Sequence, residues 1–194
     1  LSKVFSAGGY RLGYMVLPNE MQDLQNVYKS LFSETFSCVS SPIQFAAIKA
    51  FEYNTDLQDY VANTAAILKN ISAFIFKELS VIKIECTKSE GAFYMLIGFN
   101  LHKAAILKLG ISSSPDLANY VLEKYNFAML PGVDFGFEKE ALFFRIAFVD
   151  FNGESVMKAY TSHKKVDNNF IKEYAPNVFL GIEKIKSFMA DLNG

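Results

Sequence analysis

One pattern constrains the fold of this chain more than any other. From Leu57 to Leu79 the residues Leu57, Tyr60, Val61, Ile67, Leu68, Ile71, Phe74 and Ile75 recur at helical spacing. About 23 residues rising 1.5 Å each make a helix of roughly 35 Å, long enough to bridge two lobes. Such a helix needs a large apolar partner surface. The composition provides one: 51% of the 194 residues are hydrophobic and 20% charged, with 19 Phe and 10 Tyr. That excludes a disordered chain, because the apolar material offsets the loss of conformational entropy. The length allows one domain, or one and part of another.

Around the long helix, strand and helix patterns alternate. Tyr10–Leu17 reads as a strand ending at Pro18. Pro18-Asn19-Glu20 opens a helix with Leu24, Val27, Tyr28, Leu31 and Phe32 on one side. Ser41 caps a second helix at Pro42, with Ile43, Ala46, Ala47, Ala50 and Phe51 as its buried stripe. Beyond the long helix, Val81–Cys86 and Gly91–Phe99 read as strands, Lys103–Leu109 as a short helix, and Ser114–Tyr125 as another, capped by Ser114-Pro115-Asp116. Phe127–Leu130 and Leu142–Val149 are strands flanking Pro131–Gly136; Asn152–Tyr160 and Pro176–Leu192 are helices. Residues 161–170 read as a mobile surface loop. The fold class is α/β.

Charge and cysteine content remove several function classes. Lys and Arg number 19 against 20 Asp and Glu, a formal net charge of −1, so no electrostatic footprint for nucleic acid is visible. Cys38 and Cys86 form no CxxC pair, which excludes a disulfide scaffold and a zinc module; both read as small buried hydrophobes. His102 and His163 lack metal-ligand spacing, and no metal is expected. No apolar run reaches ~18 residues, so no membrane partner is expected. No signal peptide is visible, and the location expected is cytoplasmic. The chain starts Leu1-Ser2-Lys3 without Met, so it is expected to be part of something larger.

The chemistry sits at the start of the chain. Lys3 and Arg11 flank Gly8-Gly9, with Phe5, Tyr10, Gly13 and Tyr14 around them. Fully extended, the stretch between them spans roughly 26 Å. A glycine pair permits φ > 0 and a sharp reversal, which would bring an amine and a guanidinium to one small ligand. An amine reacts with a carbonyl and a guanidinium grips a phosphate, as a phosphorylated aldehyde requires.

S-K-x-F-x-x-x-G-Y-R-x-G-Y resembles the lysine segment of the class I/II aminotransferases, fold type I enzymes that use pyridoxal 5′-phosphate (PLP). Further blocks follow in the family's order: S-P-I-Q-F-A-A-I-K-A-F (Ser41–Phe51), the long helix, G-A-F-Y (Gly91–Tyr94), L-P-G-V-D-F-G (Leu130–Gly136) and F-F-R-I-A-F (Phe143–Phe148). The ordered set covers most of residues 1–149, and the resemblance loosens beyond 150. It implies that Lys3 forms the Schiff base with PLP and later moves the proton between the substrate's Cα and the cofactor. It implies that Arg11 grips the PLP phosphate and that Arg145 binds the substrate α-carboxylate bidentately. Read from the residues alone, a structural ion pair is the alternative for both Arg11 and Arg145, since a buried arginine needs a partner. The family's phosphate-binding serine and its ring-holding asparagine, aspartate and tyrosine would lie before Leu1.

The resemblance implies the C-terminal half of an aminotransferase. Residues 1–40 would be the tail of the large PLP domain, with Arg11–Leu17 as an edge strand. Residues 41–79 would be linking helices and 80–194 the small domain. The expected partners are an amino acid, a 2-oxo acid and a second subunit in a homodimer. By itself the piece would not hold PLP productively and would expose apolar surface. Lyase or decarboxylase chemistry on the same scaffold remains an alternative, as does a non-catalytic sensor or dimerisation module. Gly132 and Gly136 read as turn residues, Gly91–Tyr94 as the packed start of a strand, and Phe135 as core or, less simply, a substrate contact. No arginine besides Arg11 and Arg145 is available for a second carboxylate.

Overall fold

No strand forms between Leu1 and Ala62, the first of two units into which the chain divides; Asn63–Gly194 is the second. The computed structural model describes residues 1–194, the side chain of Asn193 excepted. In the first unit, Gly8–Tyr10 and Asn19–Met21 are 3-10 turns, followed by helices α1 (Leu24–Thr35) and α2 (Ser41–Phe51). Helix α3 (Thr55–Val81) begins here and continues into the second unit, two residues longer at each end than its apolar spacing suggests.

Three expectations for this unit are corrected. The edge strand over Arg11–Leu17 is absent: Arg11 has left-handed backbone (φ 55°, ψ 42°) and the residues after it join no ladder. A strand is held by the neighbour it pairs with, and this unit contains none. The reversal also works differently, with positive φ at Ser6 and Arg11 rather than at Gly8 or Gly9. Finally, Ser40 rather than Ser41 is the N-cap of α2, without a side-chain bond, and the stripe beneath it is not buried. No residue up to Ala62 is buried; Phe45 is 71% exposed and Val27 60%. Helical spacing and Pro42 form these helices locally, while the layer that would cover their apolar sides is not in this unit.

The second unit is built on a four-stranded antiparallel sheet. Its strands are β1 (Glu85–Cys86), β2 (Tyr94–Gly98), β3 (Leu130–Pro131) and β4 (Phe143–Ala147), in the order β1-β2-β4-β3. All four are shorter than expected, β1 and β3 most of all. The α3 helix runs to Val81 and closes with Lys83 left-handed and the Ile84 N–H donating to the Leu79 carbonyl at 3.1 Å, so it takes the start of the Val81–Cys86 stretch. Only Leu130 of Phe127–Leu130 joins the sheet, paired with Arg145.

The helices are α4 (Lys103–Lys108), α5 (Ser114–Tyr125), α6 (Gly153–His163), α7 (Asn168–Tyr174) and α8 (Pro176–Asn193). Their starts follow capping chemistry. Ser113 Oγ, one residue earlier than expected, accepts from the Asp116 N–H, and Asn152 Oδ1 accepts from the Ser155 N–H at 2.9 Å. Residues 161–170, expected as a loop, contain the end of α6 and the start of α7. There Asp167 Oδ1 accepts from the Phe170 N–H at 3.0 Å, and Phe170 is buried.

Alternation divides the sheet into two faces. Met95 and Ile97 of β2 and Phe144 and Ile146 of β4 are buried in one apolar cluster with Ile71, Ile75 and Leu79 of α3, Leu117 and Val121 of α5, and Ile182, Ile185 and Phe188 of α8. Phe99 stands edge-on to Phe144 at 5.6 Å and to Phe188 at 5.8 Å. The other face carries Tyr94, Leu96, Phe143 and Arg145, none of them buried.

Helices α3 and α8 are also tied by charge. Lys186 Nζ donates to Glu78 Oε2 at 2.6 Å and to Glu183 Oε1 at 2.8 Å. These bonds, Glu183's foremost and then Glu78's, raise the lysine's pKa above its ordinary value. A raised pKa in the folded state gives stability that is complete below the unfolded-state lysine value and is lost as pH rises through the folded one. Lys186→Met is expected to cost about 1 kcal/mol near neutral pH. Urea titrations of wild type and variant should converge in strongly alkaline solution.

Candidate active site

Arg145 lies in the middle of β4, opposite Leu96 of β2 and Leu130 of β3. Its place in the alternation puts it on the face away from the core. Its Cζ stands 4.2 Å from the centroid of the Tyr94 ring and 4.5 Å from that of Phe135. Among the described residues, the guanidinium makes no hydrogen bond or ion pair, so the reading of Arg145 as a structural ion pair is corrected. A guanidinium carries five N–H donors and permanent charge. Arg145 stands against the two rings with those donors unspent among the described residues.

The turn that delivers Phe135 explains the glycines of L-P-G-V-D-F-G. Gly132–Phe135 is a 3-10 turn that ends at Gly136 with φ 84°. A Cβ on buried Gly132 would lie 2.8 Å from the Phe143 carbonyl oxygen, so glycine lets the turn lie directly against β4. Phe135 is 42% exposed, which corrects the expectation of core packing. Tyr94, 37% exposed, stands outside the core, while Phe93 before it packs against the core as expected at the start of this strand. A signal for Tyr94 was present: it precedes Leu96, the partner of Arg145, by two residues, and so shares its face. A cleft of about 870 Å³ opens beside Arg145, with Leu130, Phe127, Asn126, Asp150 and Lys184 among its walls.

Lys3 and Arg11 belong to the first unit. The Leu1 nitrogen lies 3.4 Å from the Leu12 carbonyl oxygen. Arg11 Nη1 donates to the Gly8 carbonyl at 2.9 Å, and Tyr60 Oη to Ser6 Oγ at 2.7 Å. Phe5 and Tyr14 stand edge-on to Phe51. Lys3 and Arg11 thus lie in the first unit and Arg145 in the second. Arg11 is bonded to a carbonyl and is not an ion pair among the described residues. This donor set fits a phosphorylated aldehyde at two ends: a primary amine for the carbonyl carbon, and a guanidinium that commits one nitrogen to Gly8 and keeps the others for phosphate oxygens. No carboxylate lies between Leu1 and Leu12 to pair with a ring nitrogen.

Elsewhere the thiols differ from expectation. Cys38 is exposed, and Cys86 is partly buried, with its pKa raised chiefly by that burial against a smaller lowering by Ser80. Among the described residues no group of three or more His, Cys, Asp or Glu could hold a metal ion, and no helix is long and apolar enough to cross a membrane.

The second unit is an antiparallel sheet with helices packed on one face and, among the described residues, an unpaired cation on the other, an α/β architecture. The chain belongs to the class I and II aminotransferases: that family's model matches residues 1–158. It is 30% identical over 151 residues to a probable aspartate/prephenate aminotransferase of Rickettsia bellii, covering 76% of this chain and 36% of that one. It is 29% identical over 195 residues to an aspartate aminotransferase of Sulfolobus acidocaldarius, covering 98% of this chain and 40% of that one. The chain thus spans well under half the length of these relatives. Among solved structures, the fold is shared with an aromatic aminotransferase of Pyrococcus horikoshii, at a TM-score of 0.69 and 18% identity over 97% of this chain and 41% of that one. An aspartate aminotransferase of Thermotoga maritima is similar at a TM-score of 0.65 and 20% identity over 97% of this chain and 38% of that one.

Proposed function

We propose that these residues form part of a PLP-dependent aminotransferase that moves an amino group between an amino acid and a 2-oxo acid. The observation that carries the reading is Arg145, a cation with unspent donors on an exposed sheet face of a chain from this family. PLP, when bound, supplies the electron sink that makes the substrate's Cα–H acidic. Lys3 supplies the amine that holds the cofactor's aldehyde carbon and then accepts and returns the Cα proton. Arg11 holds the phosphate, and Arg145 holds the substrate carboxylate and so orients the Cα–H bond. In this reading residues 1–40 end the cofactor domain, and the active form is a homodimer.

The test is a product assay on the complete polypeptide that carries these residues. With PLP, an amino donor and a 2-oxo acid, it is expected to yield the new amino acid and the donor's 2-oxo acid in equal amounts. Release of ammonia and pyruvate without an acceptor would overturn transamination in favour of elimination.

A further inference from the structure

We infer that Tyr94 and Phe135 are positioning residues for Arg145, two rings that set the plane of its guanidinium so that the fork meets a carboxylate in one orientation. The inference rests on the carboxylate-binding reading of Arg145. An arginine side chain on an open strand has several free torsions, and its planar head has no fixed direction unless something holds it. A carboxylate or carbonyl partner usually does so, at the cost of donors that a ligand would need. Neither is bonded to Arg145 among the described residues. Instead, the cation lies over two rings at 4.2 and 4.5 Å. Ring faces attract a guanidinium through its flat side and leave the N–H edge unused.

Two further observations separate this arrangement from ordinary packing. Neither ring is in the core; Tyr94 also meets Phe93, with ring centroids 4.5 Å apart, but Tyr94 and Phe135 make no ring contact with each other among the described residues. The cation is what they share. Phe135 also reaches it from a turn that only glycine permits at Gly132, so the backbone is shaped to deliver that ring. The Tyr94 hydroxyl makes no hydrogen bond among the described residues, so the ring rather than the hydroxyl does the holding. A preset fork loses less freedom on binding, and removing a ring should therefore weaken carboxylate binding more than it slows the bound complex.

The experiment is competitive inhibition of the complete PLP-loaded enzyme by 3-phenylpropanoate, a carboxylate without a reacting amine. Phe135→Leu and Tyr94→Leu are each expected to raise its Ki roughly tenfold, with kcat falling less than about threefold. Phe135→Tyr and Tyr94→Phe, which keep the ring faces, should stay within about twofold of wild type. Leucine variants with unchanged Ki, or ring-keeping variants as weak as the leucine ones, overturn the inference. Arg145→Gln separates the two levels. If it leaves Ki unchanged, or if wild type is not inhibited, the carboxylate reading itself fails. If it weakens inhibition and the ring variants do not, only the positioning role fails. A second readout needs no variant to fold: in the unliganded wild type the Arg145 side-chain N–H proton should be shifted upfield by the two ring currents. A resonance at the position of an unstacked arginine overturns the inference.

Discussion

Lys3→Ala in the complete polypeptide is expected to reduce amino transfer at least about a thousandfold. The lysine is assigned two tasks, holding the cofactor's aldehyde carbon and carrying the Cα proton, and both need a primary amine that can lose its proton. Alanine removes the amine. Lys3→Arg keeps the charge and much of the reach but substitutes a group that stays protonated, so it should be almost as inactive. Added methylamine should restore part of the alanine variant's rate, because a free amine can perform the proton step without the tether. Stopped-flow assays under saturating donor would read all three. Wild-type turnover in Lys3→Ala would remove Lys3 from the chemistry and with it the amine role assigned to this stretch.

Phe144→Ala should be the most destabilising of the simple truncations, at about 3–5 kcal/mol. Phe144 is fully buried, pairs with Ile97 and Pro131 across two strands, and meets Phe99 edge to face. Removing its ring leaves a cavity that the flanking strands, held in register on both sides, cannot close. Phe45→Ala provides the contrast. That ring is 71% exposed in a unit with no buried residue, and its loss should change stability by less than about 0.5 kcal/mol. Urea denaturation of residues 1–194, followed by far-ultraviolet circular dichroism, compares the two directly. Similar costs for both would mean that the second unit is not where the folding energy resides.

The helices of this chain were legible because their signals are local. Spacing marked α3, α5 and α8, and Pro42, Pro115 and Pro176 each stand in the first turn of a helix. The same grammar would have revealed α7, where Asp167 caps as Asn152 does, but polar residues around Lys164 disguised it. Strand lengths were less legible, because pairing depends on what lies alongside. Arg11–Leu17 has the composition of a strand and no neighbour; Val81 has the composition of a strand and was taken by the helix before it. At the site, the types of Lys3, Arg11 and Arg145 suggested amine and anion chemistry. The two rings against Arg145 could not be weighed until the register of β2 against β4 placed Tyr94 on its face and the Gly132 turn brought Phe135 over β4.

That register has a consequence for how this segment can change over time. Side chains along β4 alternate between oily interior and open surface, so losing or gaining a single amino acid between Leu142 and Arg145 would invert the strand. The guanidinium would then point into the space now filled by Phe144, against Ile97 and Phe99, where no counter-charge awaits it. Insertions and deletions there would strike folding and chemistry in one step, whereas the surface around Lys164 is free to vary in length.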